Sequence, residues 1–365
     1  MSILSAIEKK IYQGERLSTD DARALYHSDD LLGIGRLAAY ANKQKNGDRV
    51  YFNVNRHINP TNVCVNQCAF CAFSRTADAE DAYTLTQSEM VARAEAAAAE
   101  GATEVHLVGG LHPDLPFHFY TDLLKKISTA VPTLHIKAFT AVEIDYFASI
   151  SGLSIEAVLQ QLIEAGLGSM PGGGAEILGD TVRRIICPEK IPGDQWLAIH
   201  EIAHRLGLKT NATMLYGHVE SVEDRIEHMQ LLRELQDRTS GFQVFIPLAW
   251  QPENSPLKLD TKGTSGLDDL KTLAIARLFL DNFTHLKAYW VMLGEKIAQV
   301  SLSFGVNDLD GTVVEEQIGH QAGAASPQSL SITKIVNLIR VAGKIPVERD
   351  TLYNPIREFS NGETL

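Results

Sequence analysis

The sequence predicts an α/β fold of the (β/α)8 TIM-barrel type, complete or open along one edge, with a helical segment at its N-terminal end. Three observations carry this. From residue 51 onward, short apolar runs alternate with longer runs whose apolar residues recur at helical spacing, the pattern of βαβ units and a parallel sheet. At Gly101, Gly166, Gly207 and Gly241 a helical run closes on glycine and a strand-like run starts at once. Glycine suits that point because the residue just past a helix often needs a left-handed backbone. Finally, 365 residues is a length that α/β barrels fill as one domain.

The elements follow in order. The first fifty residues read as helices. In "LSTDDARALY", Ser18 is placed to cap a helix, with Asp21 three positions on. Predicted strands are "YFNVNRHI", "TEVHLVGG", "LHIKAFT", "LGSMPGG", "KTNATMLYG", "FQVFIPLAW" and "HLKAYWVML", with a weaker eighth at "NDLDGTVV". Between them, "TQSEMVARAEAAAAEG" opens on a capping box of Thr86 and Glu89. "SVEDRIEHMQLLRELQD" and "LDDLKTLAIARLFLDNF" also have helical spacing. The expected division is a helical cap over 1–50, a barrel over 51–345 and a C-terminal tail over 346–365 packing on the barrel.

Composition excludes several classes. The formal net charge is −12 and no basic stripe breaks it, so a nucleic-acid partner is not expected. No apolar run is long enough to span a membrane, and the opening residues lack the pattern of a secretory leader. Only four cysteines occur, three of them bunched, which suits a cytoplasmic protein using thiols for a metal or redox centre.

Those three, Cys64, Cys68 and Cys71, lie in "NPTNVCVNQCAFCAFSR" directly after the first strand, at the barrel end where such enzymes place their chemistry. Zinc sites usually add a second cysteine pair or matching histidines, and none follows here. Three thiolates in one short loop fit an iron–sulfur cubane that keeps one iron open for a ligand. Cys187 in "RRIICPEK" is the fourth cysteine, read as a packed free thiol and, alternatively, as a distant ligand.

Other constellations are weaker. Gly109 and Gly110 in "VGGLHPD" let a ligand approach the backbone closely. In "SMPGGGAEIL", Gly173 and Gly174 do the same, with Glu176 free to bind hydroxyl groups. Arg75, Lys137, Arg277 and Lys287 lie in or near strand ends, or on neighbouring helices, and are candidates to hold carboxylates. His57, His112 and His218 are candidate proton-transfer groups or hydrogen-bonded structural residues. The rival signal is "HEIAHRLG", in which His200, Glu201 and His204 match a zinc-hydrolase pattern. The longer form of that pattern requires histidine at 210, where this chain has Thr210. An ordinary barrel helix with an apolar stripe of Trp196, Ile199, Ala203 and Leu206 is the expectation.

The cysteine loop "CVNQCAFC", with an aromatic residue before its last cysteine, resembles the signature of the radical S-adenosylmethionine (SAM) superfamily. The resemblance implies that Cys64, Cys68 and Cys71 bind a [4Fe-4S] cluster. SAM chelates the open iron and is cleaved to a 5′-deoxyadenosyl radical. It also implies that the turn at Gly109 and Gly110 holds the amino group of SAM; Gly173, Gly174 and Glu176 are candidates to contact the adenosine of SAM or the substrate.

Over nearly the whole chain, "NRHINPTNVC", "EVHLVGGLHPDLPF", "MPGGGAEIL", "TNATMLYGH", "GFQVFIPLAW", "LKAYWVMLG" and "NDLDGTVVEE" are similar to the aminofutalosine synthases of the futalosine route to menaquinone. The dehypoxanthine futalosine cyclases and deazaflavin (FO) synthases are close alternatives. The likeness implies addition of the adenosyl radical to 3-[(1-carboxyvinyl)oxy]benzoate, aryl migration and loss of the carboxyl group. The products would be 6-amino-6-deoxyfutalosine and bicarbonate. Arg75, Lys137, Lys287 and His218 would be substrate candidates, and a flavodoxin or ferredoxin the electron donor.

Overall fold

The run "YFNVNRHI", predicted as one strand, is two. In the computed structural model, which describes residues 3–259 and 263–359, β1 (Arg49–Asn53) and β2 (Asn55–Ile58) join different sheets. β2 starts a seven-stranded parallel sheet in sequence order with β3 (Glu104–Leu107), β4 (His135–Ala138), β5 (Ser169–Met170), β6 (Lys209–Tyr216), β7 (Phe242–Ala249) and β8 (His285–Leu286). β1 lies in a four-stranded sheet with β9 (Asp308–Gly311), β10 (Ile345–Arg349) and β11 (Pro355–Glu358).

The seven strands curl into a half-barrel, and the predicted weak eighth strand lies across the gap. Lys287 beside β8 bridges in parallel to Asp308, and Arg56 of β2 bridges to Val314. The backbone N–H of Ala288 donates to Asp308, and that of His57 to Val314. Residues 308–314 therefore link both edges by isolated bridges rather than by a full ladder. The last run was also over-extended: in "HLKAYWVML" only His285 and Leu286 are strand, and a helix starts at Trp290.

Helices occupy the first fifty residues, at Ile3–Tyr12, Thr19–His27 and Leu31–Asn46. Ser18 caps its helix as predicted, in a capping box with Asp21, and the predicted box of Thr86 and Glu89 forms. Three of the four junction glycines have positive φ, at Gly101, Gly166 and Gly207. At the fourth, Ser240 takes the left-handed turn (φ 48°). Gly241 is needed for another reason: a Cβ there would run into the His204 ring.

The outward faces of the strands pack on helices. Val105, Leu107, Ile136 and Ala138 are buried, the first three side chains each contributing up to about 1.5–3 kcal/mol on burial. Parallel strands covered on both faces usually read as continuous apolar runs, so Glu104, His106 and Lys137 stand out as polar residues facing inward. The tail expected from 346 begins inside β10, and its continuation reaches the barrel interior: Thr351 Oγ1 donates to Glu104 Oε2 at 2.8 Å. Among the described residues, no helix is long and apolar enough to cross a membrane.

Candidate active site

A cavity of about 290 Å³ occupies the barrel, and its mouth is walled by the cysteine loop. Cys64, Cys68 and Cys71 all line it and are free thiols. The loop is held from three sides. Val65 N–H donates to Leu111 O at 3.0 Å, and Ala69 N–H to Ile186 O at 2.8 Å. Ser255 Oγ donates to Phe70 O at 3.0 Å. Burial pushes the Cys68 thiol up to about 12, so a group that binds thiolates must supply positive charge. Among the described residues no three His, Cys, Asp or Glu side chains converge on a single metal ion.

The glycine turns beside this loop have structural duties. A Cβ on Gly110 would run into the Val63 carbonyl, and one on Gly109 would lie 3.0 Å from Thr61 O. The pair lets β3 end directly against the chain that carries the cysteines. In the triple glycine, a Cβ on Gly172 would lie 2.7 Å from Asn211 O, on Gly173 2.9 Å from Thr140 Cγ2, and on Gly174 2.6 Å from Val142 Cγ2. Gly109, Gly110, Gly173, Gly174 and Glu176 all line the cavity, so the turns bring bare backbone to its wall.

Glu176 is not free, as had been expected. Lys190 Nζ donates to its Oε1 at 2.5 Å and stands 5.0 Å from the Phe70 ring centroid in the cysteine loop. Burial acts to lower the lysine pKa, but Glu176 and the thiols of Cys68 and Cys187 outweigh it and raise it above its ordinary range. Lys190 is thus a fixed cation beside the thiols. Sequence reasoning missed it because it sits in a loop with no motif. Glu143 was also missed: it lines the cavity, accepts from Thr140 N at 2.7 Å and Gly109 N at 3.3 Å, and is pushed by burial up to about 7.

The floor of the cavity holds His57, Glu104, His106, Lys137, Lys287, Asp310 and Glu316. Lys137 donates to Glu104 at 2.7 Å and Lys287 to Asp310 at 2.6 Å. Arg349 holds Asp308 at 2.7 Å. Burial alone would raise the Glu104 carboxyl, yet Lys137, which also donates to it, and Lys287 bring it well below the usual carboxylate range. Burial lowers both His57 and His106, so both imidazoles are neutral. The signal for this floor was present in "EVHLV" and "HIKAF", where charged residues interrupt apolar strands.

Other candidates go elsewhere. Arg75 does not line the cavity; it holds Asp81 at 2.8 Å and the Ala72 and Ser74 carbonyls, tying off the cysteine loop. His218 is bound to Leu215 O at 3.0 Å and lies 3.1 Å from Glu220, also outside the cavity. Arg277 is buried on the Gly305, Phe283 and Thr284 carbonyls and Asn307. His112 accepts from Asp114 N at 3.1 Å. Cys187 is a buried free thiol.

The zinc-hydrolase reading fails on geometry. His200 Nδ1 and His204 Nε2 both reach Thr210 Oγ1, at 2.9 and 2.8 Å, while Glu201 faces Arg238. The two histidines are structural partners of the threonine that stands where a third ligand was required.

Comparison with known proteins agrees with this geometry. Residues 58–232 match the model described as the radical SAM superfamily, and residues 239–361 match that of the CofH/MqnC C-terminal region. The chain is 46% identical over 363 residues to an aminodeoxyfutalosine synthase of Thermus thermophilus, covering 99% of this chain and 98% of that one. A Streptomyces coelicolor protein of the same name is also 46% identical, covering 97% and 94%. A 5-amino-6-(D-ribitylamino)uracil–L-tyrosine 4-hydroxyphenyl transferase of Methanopyrus kandleri is 44% identical, covering 92% of each. Among solved structures, the FeFe-hydrogenase maturase of Carboxydothermus hydrogenoformans superposes with a TM-score of 0.74 at 18% identity, covering 96% of this chain and 80% of that one. Methylornithine synthase superposes at 0.72 and 19%, covering 93% and 97%. These two speak to the fold alone. The chain belongs to the radical SAM superfamily, an enzyme working with a [4Fe-4S] cluster and SAM, and is a homologue of the aminodeoxyfutalosine synthases.

Proposed function

We propose that the protein joins the 5′-deoxyadenosyl group of SAM to 3-[(1-carboxyvinyl)oxy]benzoate. With water as a further reactant, this gives 6-amino-6-deoxyfutalosine, methionine and bicarbonate, a step of menaquinone biosynthesis. Cys64, Cys68 and Cys71 would hold the cluster. When bound, the cluster and SAM supply the 5′-deoxyadenosyl radical, using an electron from a flavodoxin or ferredoxin.

The chain's own residues bind, orient and shield. Lys190 offsets the negative charge of the thiolates, and the backbone at Gly109, Gly110, Gly173 and Gly174 lines the SAM side of the cavity. Val108, Leu215, Ile246, Leu248 and Met292 form apolar walls that keep water from the reacting carbon. Lys137 and Lys287 on the floor face the end of a dicarboxylate substrate remote from the cysteines, a positioning task.

The observation that carries this reading is one cavity with thiols at its mouth, apolar walls and a floor bearing histidine and lysine donors, in a chain so close to aminodeoxyfutalosine synthases. A second reading, transfer of a 4-hydroxyphenyl group from L-tyrosine to 5-amino-6-(D-ribitylamino)uracil, is favoured by the nearly equal identity to the Methanopyrus protein. The test supplies anaerobic, iron-loaded protein and reductant with SAM and each substrate set, and identifies products by mass spectrometry. An adenosine–benzoate adduct at the mass of aminodeoxyfutalosine is expected. A coupled tyrosine–uracil product with no adduct would overturn the first reading in favour of the second.

A further inference from the structure

One feature of the floor is unexplained by the thiols or the glycine turns. His57, His106 and Lys137 are register partners on three adjacent strands, β2, β3 and β4, and all three line the cavity. The imidazole centroids lie 4.5 Å apart. At about 4.8 Å between strands, the row spans about 10 Å. Behind it, Glu104 anchors Lys137 at 2.7 Å and is itself anchored by Thr351.

The row is rich in donors and short of acceptors. The three cations of the floor are matched one to one: Lys137 with Glu104, Lys287 with Asp310, and Arg349 with Asp308. Glu316, the remaining carboxylate, is taken by His320 at 3.0 Å. Among the described residues neither imidazole of the row has a side-chain hydrogen bond to the protein, and Nε2 of His57 is fully buried without one. Such a group costs free energy unless a ligand satisfies it. A neutral imidazole offers one N–H, and an ammonium offers three, so the row presents donors to a group that accepts several hydrogen bonds, as a carboxylate does.

Position selects which carboxylate. Gly109, at the glycine turn beside the cysteine loop, follows His106 by three residues, about 10 Å along the strand. Apolar side chains fill that interval, beginning with Val108. The carboxylate of the reacting alkene is carried on the carbon next to the one that must meet the adenosyl group, so it belongs near the mouth. A carboxylate across an aryl ring reaches the floor.

We propose that His57, His106 and Lys137 form a shelf that binds the aryl carboxylate of the substrate, with its ring between the apolar walls and its alkene toward the cysteine loop. This rests on the function proposed above and assigns one end of that substrate to named residues.

The test uses anaerobic holoenzyme in two arms. In the first, calorimetry measures binding of 3-hydroxybenzoate and of phenol. Wild type binds the carboxylate at least about tenfold more tightly, and His106→Phe and His57→Phe lose this margin while His106→Asn keeps part of it. In the second, kcat/KM is compared for the enolpyruvyl benzoate and its analogue lacking the ring carboxylate. Wild type prefers the former by at least about 100-fold, and the Phe variants collapse that preference. An unchanged preference and unchanged 3-hydroxybenzoate affinity in both Phe variants would overturn the shelf and leave the proposed reaction standing. Loss of affinity in the variants, with no adduct made by wild type, would support the shelf as an aryl-carboxylate site and defeat the proposed reaction instead.

Discussion

Among the described residues a lysine–glutamate pair sits at each end of the cavity, partly buried at the mouth and fully buried at the floor, and their surroundings differ. At the mouth, Lys190 and Glu176 lie 2.5 Å apart beside the cysteine loop, and Glu176, joined by the thiols of Cys68 and Cys187, holds the lysine above its ordinary range against burial. At the floor, Lys137 and Glu104 lie 2.7 Å apart. There burial lowers the lysine, Glu104 opposes this, and Lys287 and Arg349 lower it further. Lys190 is a cation beside thiols that become anions; Lys137 is one of three cations, each matched by its own carboxylate. On the proposed function, the mouth meets negative charge that arrives with the cluster, and the floor offers donors to a substrate carboxylate. The same pair of residue types serves two tasks, decided by neighbours rather than by the pair itself.

The largest effect expected from breaking this comparison is on stability at the floor. Lys137→Met strands Glu104, whose side chain is 1% exposed. Removing one partner of such a pair costs about 3–5 kcal/mol. Chemical denaturation should show that loss, and Glu104→Leu in the same chain should recover most of it, since replacing both partners is close to neutral. Failure of the double variant to recover would mean that Thr351 and the imidazoles depend on the carboxylate.

Lys190→Met should cost less, about 1–3 kcal/mol, because Glu176 lines the cavity beneath the mouth. Its sharper effect is on the cluster: iron retained after anaerobic desalting should fall, whereas Lys137→Met should retain iron like wild type. Equal iron loss in both would erase the distinction between the two ends.

Gly110→Ala forces a methyl group against the Val63 carbonyl, an overpacking cost of about 1–3 kcal/mol. Iron content and thermal stability should both fall, and the control Gly47→Ala, where a Cβ meets nothing within 4 Å, should lose only stability through its positive φ of 62°.

The smallest effect is electrostatic, at the Glu316–His320 pair. Glu316 bonds His320 and holds its proton up to about 9, against an ordinary value of 6.5. A raised histidine pKa stabilises the fold fully below 6.5, and that contribution is lost as pH rises through 9. Melting temperature should decline over that window in wild type, and the decline should flatten in His320→Gln.

Much of this was legible in the sequence because it is local. Helix caps at Ser18 and Thr86, three of the four left-handed glycine junctions and the cysteine loop depend on residues a few positions apart. The division of "YFNVNRHI" between two sheets was not legible, since it depends on β10, nearly three hundred residues away. Nor was the short β8, because "WVML" is apolar enough for either strand or helix. At the site, Lys137, Lys287 and His57 were picked out, but their row and their partners come from strand register. Arg75 and His218 misled because their nearby acids, Asp81 and Glu220, claim them locally. His106 and Glu104 were overlooked although a polar residue inside a doubly covered strand is itself the signal.

The most direct test of the division between mouth and floor is a ratio. Wild type, Lys190→Met and Lys137→Met, each iron-loaded, are given reductant, SAM and the enolpyruvyl benzoate, and adduct and 5′-deoxyadenosine are measured in the same samples. The account predicts that Lys190→Met lowers both products together, and that Lys137→Met lowers the ratio of adduct to 5′-deoxyadenosine. The same ratio in all three proteins, or a fall confined to Lys190→Met, would contradict it.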